Sequence, residues 1–191
     1  MTVFYCALSV KSFLQETPVV DELRPAHCPC CGVASRPVGG PLRLHGHGLR
    51  ARQVIWLQGP DAAPRRVVIW LRRFRCTACA AVITVLPCDL VRYRRFCVQA
   101  ICVALALWSH GGLSAEMVRD KLGFHETFEA GWPQLRRWAT AAEFAALGLV
   151  DGPPRRLASQ IATRVAGRAP PSKIHLPIAE MTFFGAAYLM C

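Results

Sequence analysis

Two periodicities divide the chain. In "RRVVIWLRRFRC", residues 65 to 76, apolar positions alternate as a strand requires. Period two puts Val68, Trp70 and Phe74 on one face and Val67, Ile69 and Leu71 on the other, with Arg73 and Arg75 continuing that second face. "RQVIWL" (52–57) is a segment of the same kind. Between the two, "QGPDAAP" supplies Gly59, Pro60 and Asp61 as turn formers, so together they predict a hairpin. A third strand is predicted over "AVITVL" (81–86), stopped by Pro87. Residues 1–24 read as a leader containing one strand, "VFYCALSV", and a turn at Pro18.

From Tyr93 onward the period lengthens. Phe96, Ile101, Leu105 and Trp108, with Val98 and Cys102, predict a helix ending at Gly111-Gly112. A second helix starts at Ser114 as N-cap, carries Glu116 near its positive end and Lys121 in its last turn, and stops at Gly123. A third starts at Pro133, with Leu135, Trp138, Ala139 and Ala142 as its apolar stripe and Arg136 and Arg137 off it. Trp56, Trp70 and Trp108 fall on the apolar periodicity and are expected in the core. Residues 152–172, bounded by Gly-Pro-Pro and Ala-Pro-Pro, read as a linker. Four segments result: 1–24, a leader; 25–88, the strands; 89–150, the helices; 151–191, a Pro/Gly-rich linker and apolar tail.

Composition supports a packed protein, with 53% hydrophobic and 18% charged residues over 191 positions. The formal net charge of +11 points to polyanionic partners or a membrane surface. Its total is weak evidence, because 20 of 23 basic residues are Arg, as a GC-rich genome would encode. Its distribution says more. From Arg43 to Arg95 there are 11 Arg against Asp61 and Asp89, a local surplus of nine charges. The N-terminus lacks the charged region and cleavage pattern of a signal peptide, and Ile101–Trp108 is far short of the ~20 residues that span a bilayer. A cytoplasmic, nucleoid-associated location is expected, where the ten cysteines stay reduced or bind metal.

The cysteines occur in a telling pattern. Cys28-Pro29-Cys30-Cys31-Gly32 and Cys76-Thr77-Ala78-Cys79-Ala80 each place two thiols two residues apart, with 44 residues between the pairs. That spacing lets a tight turn aim two thiolates at one ion, and two such turns complete the tetrahedral set that Zn²⁺ accepts. One structural zinc on Cys28, Cys31, Cys76 and Cys79 is therefore expected. A disulfide scaffold needs an oxidising compartment, and a thioredoxin-like pair needs a βαβ setting that is missing here. His45 and His47 in "LHGHG" are alternative ligands, but with four cysteines available they read better as polar turn residues. Cys6, Cys88, Cys97, Cys102 and Cys191 read as core or incidental thiols.

In order, the chain carries "CPCCG", "HGHGLRAR", "IWLRRFRCTAC", a "LP", "YRRF" and "LSAEMVRDKLG". This resembles the N-terminal zinc-ribbon and helix-turn-helix region of bacterial insertion-sequence transposases, and related stand-alone zinc-ribbon proteins found beside mobile elements. It spans about residues 26–140. The resemblance implies an α+β fold: a small antiparallel zinc ribbon with a long hairpin, followed by a three-helix, helix-turn-helix-like domain. It also implies that Cys28, Cys31, Cys76 and Cys79 match the family's zinc ligands and that the region recognises element-end DNA. Two departures stand out. After the third helix too few residues remain for a nuclease domain, and Glu143, Asp151 and Glu180 cannot make a two-metal carboxylate site. "FHETFEAG", between the second and third helices, is longer than a helix-turn-helix turn.

The expected function is DNA binding, to duplex, with a separate transposase or nuclease chain as a further partner and neither membrane nor small-molecule substrate. Arg72, Arg73 and Arg75 on the strand, with Arg92, Arg94 and Arg95 ahead of the first helix, would form one cationic surface for phosphates. Gln134, Arg136 and Arg137, in the first turns of the third helix, are the candidates for reading base edges. Two alternatives are a zinc-ribbon protein-interaction module, docking through "IAEMTFFGAAYLM", and a degenerate transposase remnant. No nucleophile, base and orienting acid form a legible catalytic set.

Overall fold

The computed structural model describes residues 2–92, 94–123 and 132–189. The fold is α+β, with a four-stranded sheet and six α-helices among the described residues. In chain order the elements are β1 (Thr2–Cys6), α1 (Val10–Gln15), β2 (Leu44–Trp56), β3 (Arg65–Cys76), β4 (Val82–Pro87), α2 (Val98–Ser109), α3 (Ala115–Lys121), α4 (Gln134–Ala139), α5 (Pro154–Ala166) and α6 (Ile178–Ala186). None of the described helices is long and apolar enough to cross a membrane. The chain divides into two compact units, residues 1–54 with 67–94, and residues 55–66 with 95–191.

The first unit holds the sheet, in the order β1-β4-β3-β2. β3 and β4 run antiparallel, with Phe74 opposite Ile83 and Arg75 opposite Val82. β1 joins β4 in parallel, from Thr2 opposite Ile83 to Cys6 opposite Pro87. This corrects two expectations: residues 1–24 are not a leader, and the sheet is not purely antiparallel. The cause lies in β4, whose residues Ile83 to Pro87 are all buried. A strand that apolar needs cover and pairing on both sides, and β1 supplies one edge. Beyond β1, the buried Asp89 carboxylate accepts the Val10 N–H at 2.8 Å, and Val10 and Phe13 of α1 bury against this end of the unit.

β3 follows the predicted alternation only in part. Ile69 and Leu71 are buried, then Phe74 and Cys76, so the parity of burial changes across Arg72 and Arg73. Trp70, expected in the core, is half exposed, as is Val68. Trp56 and Trp108 are partly buried.

The second unit is built around α2. Nine consecutive residues, Val98 to Ala106, are buried, and Gln99 alone among them is polar. A helix apolar on every side must be surrounded. α5 and α6 both pack against α2 and against each other, and α3 and α4 add smaller contacts. Where a linker and tail were expected, the chain therefore forms the packed helices α5 and α6, for a plain physical reason. The Pro pairs that suggested a linker are helix starts: Pro153 is the N-cap of α5 and Pro154 its first residue, where a fixed φ and a missing N–H cost nothing. α5 then buries Ala158, Ile161, Ala162, Val165 and Ala166, a stripe at i, i+3, i+4, i+7 and i+8.

The predicted helix ends hold for α3, where Ser114 Oγ accepts the Met117 N–H at 3.1 Å and Gly123 takes a positive φ of 66°. Pro133 is the N-cap of α4 rather than its first residue, and α4 stops at Ala139, leaving Ala142 exposed. Trp138 packs edge-on against Phe96 at 4.8 Å and Trp132 at 5.3 Å. Tyr93 and the "FHETFEAG" segment lie outside the described residues, so a helix-turn-helix is not established between α3 and α4.

Candidate metal centre

Two short backbone turns build the centre. In the first, the Gly32 N–H donates to the Cys28 carbonyl and the Cys28 N–H to that of Val33, both at 2.8 Å. Gly32 has φ 74°, a left-handed conformation that glycine adopts without strain. In the second, between β3 and β4, the Cys76 N–H donates to the Ala81 carbonyl at 3.0 Å. The two are linked through the chain that follows the first: Arg43 N–H donates to Ser35 at 2.8 Å, and Thr77 N–H donates to Arg43 at 2.9 Å. Backbone bonds thus close the gap of 44 residues.

The result is a four-sulfur cluster. Cys28, Cys31, Cys76 and Cys79 have their sulfurs within 4.8 Å of one another. The Cys28–Cys79 and Cys31–Cys76 pairs are each 3.8 Å apart. Four sulfurs at ~2.3 Å from a common centre lie ~3.8 Å apart along the edges of a tetrahedron, whereas a disulfide needs ~2.05 Å. All four are free thiols. The spacing fits a bound ion and excludes bridges within the cluster.

Electrostatics agree. Burial works against a Cys76 thiolate, but the N–H groups of Cys79 and Ala78 and the Cys79 and Cys28 thiols outweigh it, lowering Cys76 to about 7. At Cys79 the Ala81 N–H favours the thiolate, yet burial and the three neighbouring sulfurs push it up to about 12. Four thiolates cannot share this space unaided. A divalent cation removes the repulsion, which is what a metal site supplies.

Among the described residues this is the one group of three or more such ligands close enough to hold an ion. His45 is exposed, its Nε2 2.9 Å from the Leu42 carbonyl oxygen, and neither it nor His47 joins the cluster. Cys30 is exposed. Cys97 and Cys102 are buried, and burial raises Cys102 far above the ordinary thiol range and raises Cys6 as well. Cys88, expected as a free thiol, is disulfide-bonded.

The residues expected to bind nucleic acid fall into both units. Arg72, Arg73, Arg75, Arg92 and Arg94 belong to the first; Arg95, Gln134, Arg136 and Arg137 belong to the second. Arg72 is partly buried and donates from Nε to the Pro18 carbonyl at 2.6 Å. Arg73 is partly buried too, with its Nε enclosed. Arg92 and Arg94 are partly buried, and the Arg94 carbonyl accepts from Arg52 at 2.6 Å. Arg75, Arg95, Arg136 and Arg137 are exposed. On α4, Leu135, Trp138 and Ala139 are buried, while the two arginines face solvent and Gln134 is partly covered. Beside the cluster, His45, Arg75, Cys76, Thr77 and Ala80 line a shallow pocket.

The chain matches no protein-family model, no curated protein and no solved structure.

Proposed function

We propose that this chain is a zinc-ribbon DNA-binding protein, related to the DNA-recognition region of insertion-sequence transposases. One observation carries the reading: four sulfurs converge at tetrahedral spacing at the end of β3, a strand with five Arg and no acid. Zinc is the ion proposed, because an all-thiolate tetrahedral set suits it and leaves no open position for chemistry. Bound there, it would serve as a cross-link between the turn at Cys28–Cys31 and the β3–β4 turn.

That cross-link has a consequence for Arg75. The residue stands next to Cys76, is exposed, and pairs through its backbone with Val82. A guanidinium anchored at a rigid turn loses less freedom on meeting a phosphate than one on a loose loop. Within the second unit, Arg95, Arg136 and Arg137 are proposed by themselves as phosphate or base-edge contacts. A separate transposase or nuclease chain is the further partner proposed.

In the interaction-module alternative the docking segment would include α6, "IAEMTFFGA", which packs against α2 and α5 and buries Thr182, Gly185 and Ala186. The test is metal analysis of the purified full chain with a salt titration of binding to random duplex. One zinc per chain is expected, with affinity falling by powers of ten between ~50 and ~200 mM salt. Binding indifferent to salt would favour a protein partner. A chain with neither zinc nor cooperative unfolding would be a remnant.

A further inference from the structure

We propose that the exposed face of β3 binds single-stranded nucleic acid, with Trp70 as a stacking platform for an unpaired base. The inference rests on the nucleic-acid-binding reading above and names its substrate class. Along β3 within the first unit, period two gives one face to Val68, Trp70 and Arg72. Val68 is 50% and Trp70 49% exposed, while Ile69 and Leu71 between and beyond them are 1% exposed. From Val68 to Leu71 the strand is therefore seated on one side and open on the other.

An indole left half open is unusual for so large an apolar group, and its setting says what would cover it. The first unit's part of β3 adds Arg72, Arg73 and Arg75 and no acid, so the occupant is an anion. Arg72 is fixed in place by the Pro18 carbonyl, two residues from Trp70 on the same face. β2, which forms the sheet edge next to β3, is exposed at every position from His45 to Ala51. A polyanion that also offers flat apolar rings matches this combination. Duplex DNA hides its base faces in the stack, whereas a single strand presents them.

The experiment measures fluorescence anisotropy of the zinc-loaded full chain with an oligothymidylate of about 20 nucleotides and a random duplex of equal length. Trp70→Ala and Trp70→Leu should each weaken single-strand binding about tenfold, and Trp70→Phe by no more than about threefold, with duplex binding changed less than about twofold. Leucine keeps the apolar cover but removes the ring, so it separates stacking from packing. Circular dichroism and metal content report whether each variant stays folded. Equal losses on both probes, or none on the single strand, would overturn the proposal and leave the DNA-binding reading intact. A wild-type chain that binds duplex alone would do the same. A chain that binds neither probe would overturn both. Sedimentation showing a dimer that Trp70→Ala dissociates, with oligothymidylate binding unchanged, would assign the face to a second copy and overturn it too.

Discussion

Gly32 and Ala80 hold the same left-handed backbone conformation, φ 74° and 59°, each one residue after the second cysteine of its pair. The two cysteine turns are thus built alike, and only one of them uses the residue best suited to that conformation. Ala80 carries strain that glycine would avoid. Ala80→Gly is expected to stabilise the metal-loaded chain by about 0.5–1 kcal/mol, and Gly32→Ala to destabilise it by about 1 kcal/mol. Nothing lies within 4 Å of a Cβ at Gly32, so that loss would be conformational rather than steric. Urea unfolding of both variants measures the pair.

Removal of the ion should act on the first unit. Cys31→Ser and Cys79→Ser are each expected to abolish stoichiometric zinc and to weaken the strand signal in circular dichroism. Because binding must strip the proton that Cys79 retains up to about 12, zinc affinity should fall as pH drops, by about tenfold or more per unit below pH 7. Competition with a chromophoric chelator across pH 6 to 8 reads this directly. A flat profile would mean that the four sulfurs do not bind as thiolates.

Gly185 of α6 meets the backbone of α5 with no room to spare. A Cβ there would lie 1.8 Å from the Val165 carbonyl oxygen and 2.8 Å from its carbon. Backbone cannot swing aside as a side chain does, so Gly185→Ala should cost about 3 kcal/mol by forcing the two helices apart. Thermal unfolding measures the loss. Truncation after residue 152 should be worse, since it strips α5 and α6 from the apolar α2; aggregation on expression is the expected readout.

Arg75 and Arg95 are exposed and should contact phosphate. Each alanine variant is expected to lower the slope of log affinity against log salt by about one, without changing the stability of the fold. Variants that weaken binding while leaving the slope unchanged would argue against phosphate contacts.

Asp21 supplies a pH marker away from the metal. Hydrogen bonds from Arg24 and Arg36 hold its carboxyl below the usual 3.8. A depressed carboxylate contributes stability above its unfolded value and loses it as pH falls through the folded one, so the loss falls in acid below pH 3.8. Nuclear magnetic resonance titration should find Asp21 ionising below 3.8 and returning toward it in Arg24→Ala. The group is exposed, so stability at neutral pH should barely change.

The legible parts were those set by local chemistry. Two Cys-x-x-Cys turns, the hairpin of β2 and β3, the Ser114 cap and the apolar run of α2 each depend on neighbours a few residues away, and each can be read from spacing alone. The stripe Ala158, Ile161, Ala162, Val165 was present too, but Pro153 and Pro154 read as breakers when they are in fact a helix start.

What the tertiary structure decided was partnership. That β1 runs parallel to β4, that α5 and α6 enclose α2, and that Trp70 stays open while Trp132 and Trp138 are buried all depend on which surface meets which. Hydrophobic burial is non-directional, so an apolar residue announces that it needs cover without naming the element that provides it. Thiolates differ: their ion demands fixed number, distance and angle, and for that reason the four-sulfur centre was readable from the chain while the core around it was not.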